Sequence, residues 1–119
     1  MSRFLREITD ENGVLIPTAI AKQFHVSIED IATLVDLKID SLQTDDLIQS
    51  ETTQTRLREM VKIIEQVIPW CENTNQAYEW YRNESLTSFN DLTAMTLINQ
   101  GKTDAVVQYL ERIDKGGFS

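Results

Sequence analysis

From Thr55 the chain carries Leu57, Met60, Val61, Ile64, Val67 and Ile68 at spacings of three and four, with Arg58, Glu59, Lys62, Glu65 and Gln66 between them, until Pro69 interrupts the run. Such a stripe lines one side of an α-helix; on a strand the same residues would be split between two faces. Pro69 lacks an N–H and its ring crowds the preceding turn, so the helix ends there. A single amphipathic helix has little stability in water, so other segments must cover this stripe.

The same period runs through most of the remaining chain. Pro17 suits a first helical position, where its missing N–H would have no partner, and the apolar residues that follow carry a short helix to the neighbourhood of His25. Ser27 with Asp30 reads as a capping box opening a second helix on Ile28, Ile31, Leu34 and Val35, expected to stop near Leu37. Residues 40–54 are mostly polar and read as a connector with one helical turn. Residues 73–82 form a further helix, capped by Thr74 or Asn75, with Ala77 and Trp80 facing the core and Tyr78 on the surface. Residues 86–89 read as a loop, and Ser88 with Asp91 opens a helix bearing Leu92, Met95, Thr96 and Leu97 that Gly101 closes. The last helix begins at Thr103 and Asp104, buries Val106, Val107, Leu110 and Ile113, and leaves Gly116, Gly117, Phe118 and Ser119 as a tail. Residues 4–16 mix charge, a break at Gly13 and the short run Val14, Leu15 and Ile16, and only that run reads as a short extended segment. No long alternating run exists, so the expected class is all-α: a compact helical unit divided into residues 1–54 and residues 55–119.

Composition narrows the function. A chain of 119 residues with 41% hydrophobic and 25% charged side chains is one ordinary domain, or two small modules sharing a core. Its 11 basic and 19 acidic residues leave a net charge of −8, which repels phosphate backbones and excludes nonspecific nucleic-acid binding by the whole surface. One cysteine, Cys71, forms no internal disulfide, and one histidine, His25, builds no zinc site by itself, so neither metal nor cofactor is expected. Cys71 and His25 could supply a nucleophile and a base, but no orienting group or oxyanion loop accompanies them, and we do not expect an enzyme. No apolar run approaches the roughly 18 residues of a membrane span, and the residues after Met1 lack a signal-like stretch. The expected location is cytoplasmic, without membrane association.

Residues 17–36 fit a helix-turn-helix. Ala21 is the small residue where two helices touch, Ile20, Phe24, Val26, Ile31 and Leu34 take the packing positions, and His25 stands at the turn position commonly held by glycine. The chemistry of the second helix suits DNA poorly: it offers Glu29, Asp30 and Asp36, with Thr33 and Lys38 as its only favourable contacts. Two readings stay open, a plain helical pair belonging to the core and an operator-reading pair. The second needs positive charge from Arg3, Arg6, Arg56, Arg58 or Lys62. Arg56, Arg58 and Lys62 read as a small basic face on the long helix, although Glu51, Glu59 and Glu65 among them also fit a solvated, ion-paired face.

The C-terminal half shows a longer pattern. Ala77, Trp80 and the residues to Leu86, then Leu92 to Leu97, Gly101, Val106, Leu110, Ile113 and the end Gly116, Gly117 and Phe118, occur in an order and spacing that resembles the toxin-binding domain of the Xre/MbcA/ParS antitoxin family. In that family an Ala-x-x-Trp helix precedes a loop, a short helix, a glycine, a Val-x-x-x-Leu-x-x-Ile helix and a glycine-rich end, often behind an Xre-like helix-turn-helix. One departure lies after Leu86, where the family carries Gly-Gly and a proline and this chain has Thr87, Ser88, Phe89, Asn90 and Asp91. The resemblance implies a type II antitoxin, forming a homodimer and neutralising a cognate toxin of the RES-domain class, which degrades NAD, with operator DNA as a second partner. It assigns toxin contact to Trp80, Arg112, Gly116, Gly117, Phe118 and Ser119. A glycine tail permits close backbone approach, Phe118 would anchor it, and the −8 surface would speed encounter with a basic cleft.

Overall fold

The computed structural model describes residues 2–116, and side chains as far as Asp114. The α-helices are α1 (Arg3–Ile8), α2 (Pro17–Phe24), α3 (Ile28–Leu34), α4 (Asp45–Ile48), α5 (Glu51–Val67), α6 (Thr74–Asn83), α7 (Ala94–Asn99) and α8 (Thr103–Gly116). Short 3-10 turns at Ile39–Leu42, Ile68–Trp70 and Thr87–Phe89 join some of them. The class is all-α: among the described residues the only β pairing is two isolated antiparallel bridges, Thr9 with Leu15 and Leu86 with Leu92. No helix of the described residues is long and apolar enough to cross a membrane.

Helix α5 is the axis. It packs against α4, α6, α7 and α8, and its Leu57, Met60, Val61, Ile64 and Val67 are buried as the stripe predicts. Ile63 is buried as well, because partners cover α5 on more than one side. Buried side chains run without interruption from Phe4 on α1 to Leu110 on α8, so residues 1–54 and residues 55–119 share one core.

The N-terminal segment departs from expectation. Residues 3–8, outside the stretch read as helical, form a helix because Ser2 caps the first turn by accepting from the Leu5 N–H, and Phe4 and Ile8, one turn apart, bury the same face. A tight turn follows, in which Asp10 Oδ1 accepts from the backbone N–H of Asn12 and Val14, and Gly13 takes φ +82°. Leu15 then pairs with Thr9.

The connector also holds more order than its polarity suggests. Helix α5 starts at Glu51, four residues before the expected Thr55, because the Ser50 hydroxyl accepts from the Thr53 N–H. Gln54 lies buried in this first turn. Its Oε1 accepts from the Leu15 N–H at 2.9 Å, and its Nε2 donates to the carbonyl oxygens of Leu15 at 3.0 Å and Ile48 at 2.9 Å. One side chain thus satisfies both backbone groups of Leu15 and ties the N-terminal turn to α4 and α5.

Three helices end in the same way. After α2, α3 and α7 the chain passes through a left-handed residue, His25 (φ 61°), Asp36 (φ 55°) and Gly101 (φ 83°) respectively. Each time the next N–H reaches back to close the last turn: Val26 to Ala21, Leu37 to Ala32 and Lys102 to Leu97. Helix α3 therefore stops at Leu34, short of the expected Leu37, since Asp36 holds the capping conformation without being glycine.

Helix α6 is capped by Asn73, whose side chain accepts from the Gln76 N–H, rather than by Thr74 or Asn75. Its rotation also differs from the expected one. Tyr78 and Tyr81 are buried with Ala77, and Trp80 is only partly buried against the core. The cause is an aromatic row across three helices: Phe4 stacks on Phe24 with ring centres 6.0 Å apart, and Phe24 meets Tyr78 at 5.2 Å. Arg82 covers the outer side of Tyr78, 5.4 Å from its ring centre. Helix α7 begins at Ala94 behind a Thr93 cap rather than at Ser88 and Asp91, because Leu92 is held in its bridge to Leu86. Helix α8 begins at Thr103 as expected, burying Val106 and Leu110, with Val107 and Ile113 partly covered.

Candidate partner-binding site

The residues assigned to toxin contact are spread over two helices. Trp80 is on α6, partly buried, while Arg112 is exposed on α8 and Gly116 is the last residue of that helix. Helix α7 packs against both α6 and α8. Gly117, Phe118 and Ser119 lie outside the described residues. Midway along α8, Phe89 meets Tyr109 edge-to-face at 5.5 Å, fastening the loop between α6 and α7 to the last helix.

That loop has a distinctive backbone. Asn90 (φ 58°) and Asp91 (φ 64°) are consecutive residues in the left-handed region, which β-branched and bulky residues avoid and which glycine enters without steric cost. The Asp91 N–H donates to the Leu86 carbonyl at 3.0 Å, as does the Phe89 N–H at 2.9 Å, so the turn is drawn tight at the end of α6.

The candidate DNA contacts lie on α3, just beyond it and on α5. Thr33 is exposed near the end of α3, and Lys38 is exposed beyond it, before the Ile39–Leu42 turn. Arg58 and Lys62, four residues apart, share an exposed face of α5. Arg56, two positions earlier, points elsewhere: it lines an open groove of about 610 Å³ with Glu51, Glu59, Asn99 and Gln100. The three-residue basic face read from the sequence is therefore split. On α3 the exposed Asp30 completes the capping box, its Oδ2 accepting from the Ser27 N–H while Ser27 Oγ accepts from its own N–H, both at 3.1 Å. Glu29 on α3 and Asp36 just beyond its end are also exposed and carry negative charge.

The helical pair is nonetheless well anchored. Ala21 is buried between α2 and α3 as its size predicts, and His25 makes the sharp turn between them. Two amides fasten the ends: Asn75 Nδ2 of α6 donates to the Phe24 carbonyl at 2.6 Å, and Asn99 Nδ2 of α7 donates to the Leu34 carbonyl at 3.1 Å. Both carbonyls are among those a helix leaves unpaired at its C-terminal end. Neither asparagine is apparent from its local sequence, since the groups they satisfy lie 51 and 65 residues away.

The titratable groups with a clear shift, Cys71, Tyr78 and Tyr81, are raised mainly by burial. Desolvation pushes the Cys71 thiol above its ordinary range, which disfavours the nucleophilic thiolate. Burial pushes the Tyr81 phenol far above its ordinary range, with Glu59 adding to the rise and Arg56 opposing it. Its hydroxyl has no protein hydrogen-bond partner among the described residues. No group of three His, Cys, Asp or Glu side chains suited to holding a metal ion occurs among them either.

One surface feature corrects the sequence expectation that Trp70, like Trp80, faces the core. Trp70, in the turn that ends α5, is 45% exposed and borders a groove of about 330 Å³ against α8. Sequence periodicity could not find it, because the groove joins positions more than forty residues apart. Comparisons with protein-family models, with curated proteins and with solved structures find no match to this chain.

Proposed function

We propose that this protein is an antitoxin-like binding protein that occupies a cognate toxin of the RES-domain class through α6, α7, α8 and the residues that follow. The observation that carries the reading is the loop between α6 and α7. The resemblance calls for Gly-Gly there, and Asn90 and Asp91 hold two successive left-handed conformations, the backbone a glycine pair takes most readily. Asn and Asp are the residues that enter this region at least cost after glycine, so the departure in residue type is compatible with a glycine-like backbone there. The half-buried Trp80 and the exposed Arg112 supply aromatic and cationic contacts of the kind that dominate protein interfaces. A surface of net charge −8 complements a nucleotide-binding cleft, which must attract anionic phosphates.

Co-expression with the neighbouring gene products tests this. The expected outcome is a neighbour that arrests growth alone and is neutralised by the full chain, with rescue lost when residues 116–119 are removed. Neighbours that are harmless alone would overturn the proposal. A second reading, operator contact by α2 and α3, draws support from the buried Ala21 and the sharp turn at His25. The acidic groups on α3 place it second. A gel shift on the gene's own promoter, with and without the partner, separates the two roles: retardation that Lys38→Ala weakens supports DNA contact, and no retardation in either condition removes it.

A further inference from the structure

The Trp70 groove carries chemistry that the antitoxin reading does not use. Its floor is apolar, made by Trp70, Pro69 and Leu110, and Trp70 is one of only two strongly exposed large hydrophobic residues among those described. Its rim is acidic: Glu65 from α5, with Glu111 and Asp114 from α8. Among the described residues no lysine or arginine lines it. Gln66 lines the same groove, and its Oε1, an acceptor, is buried with no hydrogen-bond donor among the described residues. Glu65 is steadied from the other side by the Ser2 hydroxyl, which donates to its Oε2. The C-terminal ends of two long helices, α5 at Val67 and α8 at Gly116, also lie at this end of the molecule, and such ends carry partial negative charge.

Every polar signal in the groove therefore asks for a cationic donor, and the exposed indole asks for something flat. We propose that this groove receives an arginine side chain presented by a protein partner. A guanidinium stacks on an indole face, has a stem that packs on Pro69 and Leu110, and has donors enough for the carboxylates and the Gln66 carbonyl at once. A lysine ammonium meets the charge but not the stacking. The inference rests on the groove alone and holds whether or not the partner is a toxin.

The test uses the full-length, nitrogen-15-labelled protein and two probes, an acetylated and amidated (Arg-Gly)4 peptide and the same peptide with citrulline for arginine. Citrulline keeps the shape and loses the charge. The expected result is a saturable shift of the Trp70 indole and of backbone amides in residues 65–70 and 110–114 with the arginine peptide, and at least about tenfold weaker binding of the citrulline peptide. Glu111→Gln with Asp114→Asn should weaken binding about fivefold. Asp45→Asn with Asp46→Asn, which removes the same charge from exposed positions on α4, should leave it within about twofold. Trp70→Ala, at an exposed position, should weaken binding about fivefold without unfolding the protein. Equal losses in the two acidic double variants would show diffuse attraction to a −8 surface and overturn the proposal. Binding unaffected by Trp70→Ala, or shifts scattered over the molecule, would overturn it as well.

Discussion

Gln54 shows how much one polar side chain can hold. It is 7% exposed and serves three backbone groups, two of them on Leu15, thirty-nine residues earlier. Removing it would strand the N–H and C=O of a buried Leu15, at about 1–3 kcal/mol for each unpaired group. Gln54→Ala should therefore lower stability by about 2–4 kcal/mol in urea unfolding, far more than Gln49→Ala at an exposed position in the same connector, which should stay within about 0.5 kcal/mol. Locally, residues 50–54 read as a polar link, because the partners that give Gln54 its role are distant in sequence. The same holds for Asn75 and Asn99. Of the residues singled out for DNA contact, Arg56 illustrates a simpler failure: two positions along a helix turn a side chain by about 200°, so it could not share the face of Arg58.

Among the elements, α5 and α8 were the most legible, because their apolar stripes are long enough that packing had only one face to use. Short helices depended on their ends, and ends were read by residue type. Gly101 signalled its turn; His25 was flagged as standing where glycine is usual, and Asp36 gave no sign that α3 would stop early. Yet all three adopt one backbone state for one purpose. This yields a paired expectation. His25→Gly should stabilise the protein by about 0.5–1 kcal/mol by relieving the left-handed strain. Gly101→Ala should cost about 1–2 kcal/mol for conformation alone, since a Cβ there meets no atom within 4 Å. Thermal unfolding of the two variants checks both signs. The start of α7 was misplaced for a related reason: Ser88 and Asp91 resemble a cap, but Leu86 and Leu92 pair across the loop and hold the chain out of a helix until Thr93.

At the scale of the molecule, one core spans α1 to α8, so local perturbations should appear as global loss of stability. Tyr81 gives this a pH signature. Its phenol is ordinary in the unfolded chain, near 10.0, and raised in the fold, so the folded state holds the proton more tightly. The associated stability is fully present below pH 10 and is lost as pH rises beyond it. Urea midpoints measured from pH 8 to pH 11 should fall on the alkaline side, and Tyr81→Phe should make that fall shallower; an unchanged slope would assign the loss to other groups.

The two asparagine clasps have a mechanical meaning as well. Asn75 grips the end of α2 from α6, and Asn99 grips the end of α3 from α7. The front helical pair is thereby bolted to the rear helices at its two outlets, and neither α2 nor α3 can swing without dragging its counterpart. A displacement of α6 or α7 is thus felt at the ends of α2 and α3 through these hydrogen bonds as well as through the shared core, as a push on a lever arm reaches its hinge.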